Sequence, residues 1–153
     1  MIVTFLASFL IWFLFFGLFI LWIIDGRFRQ EAVLHALLAM LIVWFATSII
    51  KDLYPIQRPF LIADGVNART ITTPRDFSFP STHTAIAFAM STTIFLHDKK
   101  YGGLFFIGAL LVALGRILAN VHYPVDTLVG GVLGILVAYV IHKTHLFRLL
   151  GRG

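Results

Sequence analysis

The chain has 153 residues, of which 59% are hydrophobic, 15% aromatic and only 12% charged, against the roughly 25% charged share of an ordinary soluble domain. Together with a mean hydropathy of +0.94, this excludes a water-soluble globule and suits one domain of about five membrane spans, since each span takes roughly 20 residues. The absence of cysteine excludes disulfides, thiolate metal sites and cysteine nucleophiles, and the formal charge of +5 is scattered between apolar segments, which points to a lipid bilayer and not to nucleic acid.

Met1 to Ile24 carries no charge, and at about 1.5 Å per residue it is long enough to cross a hydrocarbon core of roughly 30 Å. It has neither a basic start nor a small-residue cleavage site, so it is expected as a retained span and not a signal peptide. A polar link from Asp25 to Glu31 leads to a second span, 32–50, interrupted only by His35 and ending at Lys51. Residues 51–79 hold Pro55, Pro59 and Pro74 with turn formers at Asp64-Gly65 and Asn67, a pattern that predicts a loop outside the bilayer core. The third span, 80–96, opens on Pro80-Ser81 and closes on His97-Asp98-Lys99-Lys100. A fourth covers 101–119. The fifth, 124–141, contains Gly130, Gly131 and Gly134, small residues that let helices approach closely in lipid. The expected fold is therefore an all-α integral membrane helical bundle forming a single domain over 1–153.

Alternate loops divide the cations. Arg27, Arg29, Lys99, Lys100, Lys143, Arg148 and Arg152 fall on one side, and Lys51, Arg58, Arg69, Arg75 and Arg116 on the other. If Lys51, Arg58 and Arg116 are held for chemistry, the free positive charge lies on the first side, which predicts a cytoplasmic C-terminus and puts the Pro-rich loop outside the cell membrane.

Polar residues gather at three places on that outer side: Lys51 with Arg58-Pro59, Pro80-Ser81-Thr82-His83, and Arg116 with His122 and Asp126. Lys51, Arg58 and Arg116 supply a point charge and two planar forks suited to phosphoryl oxygens; each taken singly also fits interfacial snorkelling. Ser81, Thr82 and His83 open a helix, where unpaired N–H groups attract an anion, although Ser81 would serve equally as a plain N-cap. His122 and Asp126 stand four apart around Pro124, a spacing that lets the carboxylate accept from one imidazole nitrogen and leaves the other as a nucleophile. A zinc site from His83, His122 and Asp126 would be opposed by the neighbouring cations. His35, His97, His142 and His145 lack such company and are expected as interfacial or tail residues.

In their order and spacing, Lys51-x6-Arg58-Pro59, Pro80-Ser81-x-His83 and Arg116-x5-His122-x3-Asp126 resemble the three signature motifs of the type 2 phosphatidic acid phosphatase superfamily. That resemblance implies a metal-independent membrane phosphatase without a cofactor. His122 would attack phosphorus and become a phosphohistidine, with Asp126 orienting it. His83 would protonate the leaving oxygen and then activate water. Lys51, Arg58, Arg116, Ser81 and the backbone at Thr82 would hold the phosphoryl group. The pattern usually has serine where Gly115 stands, which implies one hydroxyl contact fewer. Its usual bundle has six spans, so a homodimer would complete this one. The implied substrate is a membrane lipid phosphate or diphosphate, a polyprenyl diphosphate foremost, with phosphatidic acid or phosphatidylglycerophosphate as the alternative. The same residues would also serve a lipid-to-acceptor phosphotransferase, and a non-catalytic protein binding anionic lipid is the competing class.

Overall fold

A computed structural model of the chain describes residues 1–24, 27–62 and 65–144. Asp25, Asp64, His145, Arg148 and Arg152, which entered the link, turn, tail and charge expectations above, lie outside them. The described residues are helical and without strands: α1 (Ile2–Ser8), α2 (Leu10–Ile24), α3 (Arg27–Leu53), the short α4 (Pro59–Ile62), α5 (Thr82–His97), α6 (Lys99–Leu118) and α7 (Pro124–Lys143).

The first expected span is two helices, α1 and α2, meeting at Phe9 with a bend of 52°. Along α2, Ile11, Leu14, Leu18 and Leu21 turn inward while Trp12, Phe13, Phe16, Phe19 and Ile23 stand outside. Leu41, Leu104 and Leu128 are likewise more than 60% exposed. An outer surface this apolar is stable only against lipid.

Helices α3, α6 and α7 are long and apolar enough to cross a bilayer, and the bent α1–α2 pair makes a fourth candidate. The expected count of five is not confirmed at α5, which has 16 residues, about 24 Å at 1.5 Å per residue. Its place explains its length. Helix α5 packs against α3, α6 and α7 and buries Ala85, Ala87, Ala89, Met90 and Ser91 to Ile94. A helix jacketed by protein has no need to match the hydrocarbon thickness. Two of its buried hydroxyls are satisfied locally, Ser91 donating to Ala87 O at 2.7 Å and Thr93 to Ala89 O at 2.9 Å.

Close approach comes from α7. A Cβ on Gly130 would sit 2.6 Å from Ser81 O, and one on Gly134 would sit 2.8 Å from Ala89 N, so only glycine lets the two backbones meet. The residue that ends α5 also starts α6: Asp98 caps the new helix by accepting from Lys100 N and Tyr101 N. Helix α3 starts at Arg27, so most of the expected polar link is its first turn.

The segment between α3 and α5 crosses one end of the bundle. It is fastened there by Phe60 N to Asn120 O, Arg69 N to Ala119 O and Ser81 N to Asp126 O, at 3.2, 2.9 and 3.0 Å. The other end holds a grouping absent from the sequence expectation. His35 of α3, His97 of α5 and His142 of α7, taken singly as interfacial residues, meet there with ring centroids 5.3 and 5.2 Å apart in succession.

Candidate active site

All three polar motifs arrive at the loop-covered end, each from a helix terminus. Lys51 is in the last turn of α3, His83 in the first of α5, Arg116 in the last of α6, and Asp126 in the first of α7, with His122 in the link before it. They surround a cavity of about 540 Å³ whose lining includes Lys51, Arg58, Thr82, His83, Arg116 and His122. Ser81 and Asp126 stand behind this lining. Ser81 caps α5, accepting from Thr84 N at 3.5 Å, and its hydroxyl lies 3.0 Å from Thr84 Oγ1. Thr82 donates to Thr47 Oγ1 at 3.1 Å.

His122 is 2% exposed and has its two nitrogens in different surroundings. Nδ1 lies 3.4 Å from Asp126 Oδ2 and from Ser78 Oγ. Nε2 accepts from Arg58 Nη1 at 3.1 Å and lies 3.5 Å from Arg116 Nη2. This network places the proton on Nδ1 and a lone pair on Nε2, aimed between two guanidiniums. Burial lowers the pKa of His122 to about 4, with the Asp126 hydrogen bond opposing the shift and the surrounding cations adding to it. The imidazole is neutral at pH 7.

Asp126 is held where that geometry needs it. Pro124 starts α7, and Asp126 in its first turn accepts from Tyr123 N at 2.8 Å and from Ser78 Oγ at 2.5 Å. Arg58 donates to Asp76 O and Val121 O at 2.8 and 2.7 Å. Arg116 donates to Ala7 O at 2.9 Å, which ties α1 to the site. The Gly115 departure has its reason here: a Cβ would lie 2.7 Å from Leu6 C and 2.9 Å from Ala7 N. The side chain is given up so that α1 can lie on α6.

Two site residues escaped the sequence reading. Asp76 pairs with Arg58 Nη2 at 2.7 Å and with Lys51 Nζ at 3.1 Å; Lys51 also donates to Phe77 O. Burial would raise the Asp76 carboxyl, but the Arg58 and Lys51 cations outweigh it and hold it below the usual carboxylate range. Asp76 is the one acidic residue between Gly65 and Pro80, the only sequence signal it offered. Ser78 gave none. Beyond Lys51 the cavity turns apolar, lined by Ser48 and Trp44 further along α3 and by Ile11, Trp12 and Phe15 of α2.

A neutral imidazole lone pair set among cations suits in-line attack on a phosphoryl group. The same cations disfavour a metal on His83, His122 and Asp126.

Comparison with known proteins identifies the family. A family model described as PAP2 superfamily matches residues 32–149. The bacitracin transport permease protein BcrC of Bacillus licheniformis is 34% identical over 143 residues, covering 94% of this chain and 70% of that protein. The undecaprenyl-diphosphatase BcrC of Bacillus subtilis is 30% identical over 123 residues, covering 80% of this chain and 63% of that protein. The crystal structure of Aquifex aeolicus LpxE superposes with a TM-score of 0.74 at 30% identity, over 92% of this chain and 81% of that one. With the family match spanning most of its length and the motif residues gathered around one cavity, this all-helical membrane chain belongs to the PAP2 superfamily.

Proposed function

We propose that the chain hydrolyses a membrane lipid phosphate or diphosphate, a polyprenyl diphosphate foremost, through a phosphohistidine on His122 and without a metal. Kinship makes it a phosphoric ester hydrolase acting on lipids; the named relative that cleaves undecaprenyl diphosphate favours the polyprenyl substrate. The observation that carries the mechanism is the His122 Nε2 lone pair, 3.1 Å from Arg58 and backed through Nδ1 by Asp126.

The incoming phosphoryl oxygens take over the donors that Arg58 and Lys51 now spend on Asp76, and those of Arg116. Nε2 attacks phosphorus as the P–O bond to the leaving group breaks, and His83 supplies the proton that the departing oxygen needs. His83 then removes a proton from water, whose oxygen attacks the phosphohistidine and releases phosphate and free imidazole. Three fixed cations neutralise the charge that develops on the phosphoryl oxygens, so no metal is asked to. The apolar half of the cavity beside Trp12, Phe15 and Trp44 takes the start of the lipid tail.

The active site faces the extracytoplasmic side in this reading. Lys51, Arg58 and Arg116 are each at most 5% exposed and make buried contacts, so they do not act as topological anchors. Exposed Lys99, Lys100 and Lys143 at the opposite end support a cytoplasmic side there.

Purified protein in detergent tests the reaction against undecaprenyl diphosphate, phosphatidic acid and phosphatidylglycerophosphate, with and without EDTA. Phosphate release is expected to persist in chelator and to favour the polyprenyl substrate. His83→Ala is expected to lose about 10²- to 10⁴-fold and His122→Ala at least as much. Release that vanishes with EDTA, or near wild-type turnover in His122→Ala, would sink the mechanism.

A further inference from the structure

We infer that the end of the bundle opposite the phosphoryl cavity carries a divalent transition-metal site, of the kind that takes Zn²⁺, built from Glu31, His35 and His97. Their donor atoms all lie within 4.8 Å of one another. Glu31 and His35 are one helical turn apart on α3, a spacing that puts both on one face, and His97 closes the set from the end of α5.

The geometry of the imidazole pair matches a tetrahedral ion. His35 Nδ1 and His97 Nε2 are 3.3 Å apart. Two nitrogens each bound at about 2.0–2.1 Å to tetrahedral zinc are separated by roughly 3.3–3.4 Å. The outer contacts are also those of a ligand: His97 Nδ1 is 2.9 Å from Thr93 O, donating to it, which fixes the ring and leaves Nε2 as the binding atom. His35 is 3% exposed, and Ala32 and Ala36 of the adjoining core directly follow Glu31 and His35 in sequence. An ion there would replace the proton shared between the two rings, with His35 carrying its own proton on Nε2. His142, its ring edge-on to His97 at 5.2 Å, or water would fill the fourth position. Two imidazoles and a carboxylate suit zinc and its neighbours and not magnesium or calcium.

This site is separate from the phosphoryl cavity. His35 and Lys51 lie on the same helix, about 24 Å apart at 1.5 Å per residue. The ion would fasten α3 to α5 at the end remote from the cavity that both helices help to form.

The test uses the full chain in detergent, without an affinity tag, stripped with EDTA and passed through a desalting column. Titration with Zn²⁺ is expected to saturate at one equivalent per chain and to raise the thermal midpoint, and Co²⁺ to develop visible d–d bands that Zn²⁺ removes. His97→Gln and Glu31→Gln, each checked for monodisperse elution, are expected to bind at least tenfold more weakly. His122→Ala is expected to bind as the wild type does. The half-buried Glu31 keeps the test open should His97→Gln misfold. No saturable equivalent, unchanged affinity in folded Glu31→Gln, or loss of binding in His122→Ala overturns the site.

Discussion

Ser78 does at the scale of one hydroxyl what His122 depends on. It donates to the carboxylate that faces Nδ1 and lies within 3.4 Å of that nitrogen itself, so it fixes both the direction and the basicity of Asp126. A hydrogen bond to a charged group is worth about 1.5–3 kcal/mol. Ser78→Ala is therefore expected to lower kcat/KM roughly 10- to 100-fold, together with a fall of a few degrees in thermal midpoint; an unchanged kcat/KM would remove Ser78 from the machinery. The motif residues were legible because their spacing in the chain is their signature: Arg116, His122 and Asp126 sit within one helix end, a link and the next helix start. Ser78 and Asp76 were not, since a serine and an aspartate in a loop acquire meaning only when the loop closes over α3 and α7. The three histidines at the far end were missed for the same reason, lying on three separate helices.

Among the helices, α3, α6 and α7 announce themselves by long stretches of high hydropathy. The break at Phe9 does not, because no charge, proline or glycine marks it. The length of α5 was legible, but its enclosure was not: hydropathy reports burial, and cannot tell burial in lipid from burial in protein. Gly115 joins these points. The sequence suggested only a lost hydroxyl, whereas in the fold it is the contact on which α1 rests. Gly115→Ser, the residue usual in the family pattern, is accordingly expected to push α1 off α6. Overpacking against backbone costs roughly 1–3 kcal/mol, so the thermal midpoint in detergent should fall by about 3–8 °C. A midpoint that holds or rises, with tighter phosphate binding, would show that the serine contact is simply restored.

At the level of the whole molecule the charges sort by end and by exposure. The cavity end keeps Lys51, Arg58 and Arg116 buried and leaves Arg69 and Arg75 exposed, while Lys99, Lys100 and Lys143 are exposed at the other. A reporter fused after Gly153 is expected to score as cytoplasmic and one placed before Met1 as extracytoplasmic; the reverse pair of readings would invert the molecule. The wall formed by Trp12 and Trp44, 66% and 53% exposed, belongs both to the cavity and to the lipid-facing surface. A catalyst with such a side opening meets a lipid substrate by lateral diffusion within a two-dimensional phase. The quantity that governs its saturation is then the mole fraction of substrate among the surrounding amphiphiles. Adding inert detergent or lipid at constant bulk substrate slows the enzyme by surface dilution, with no inhibitor bound.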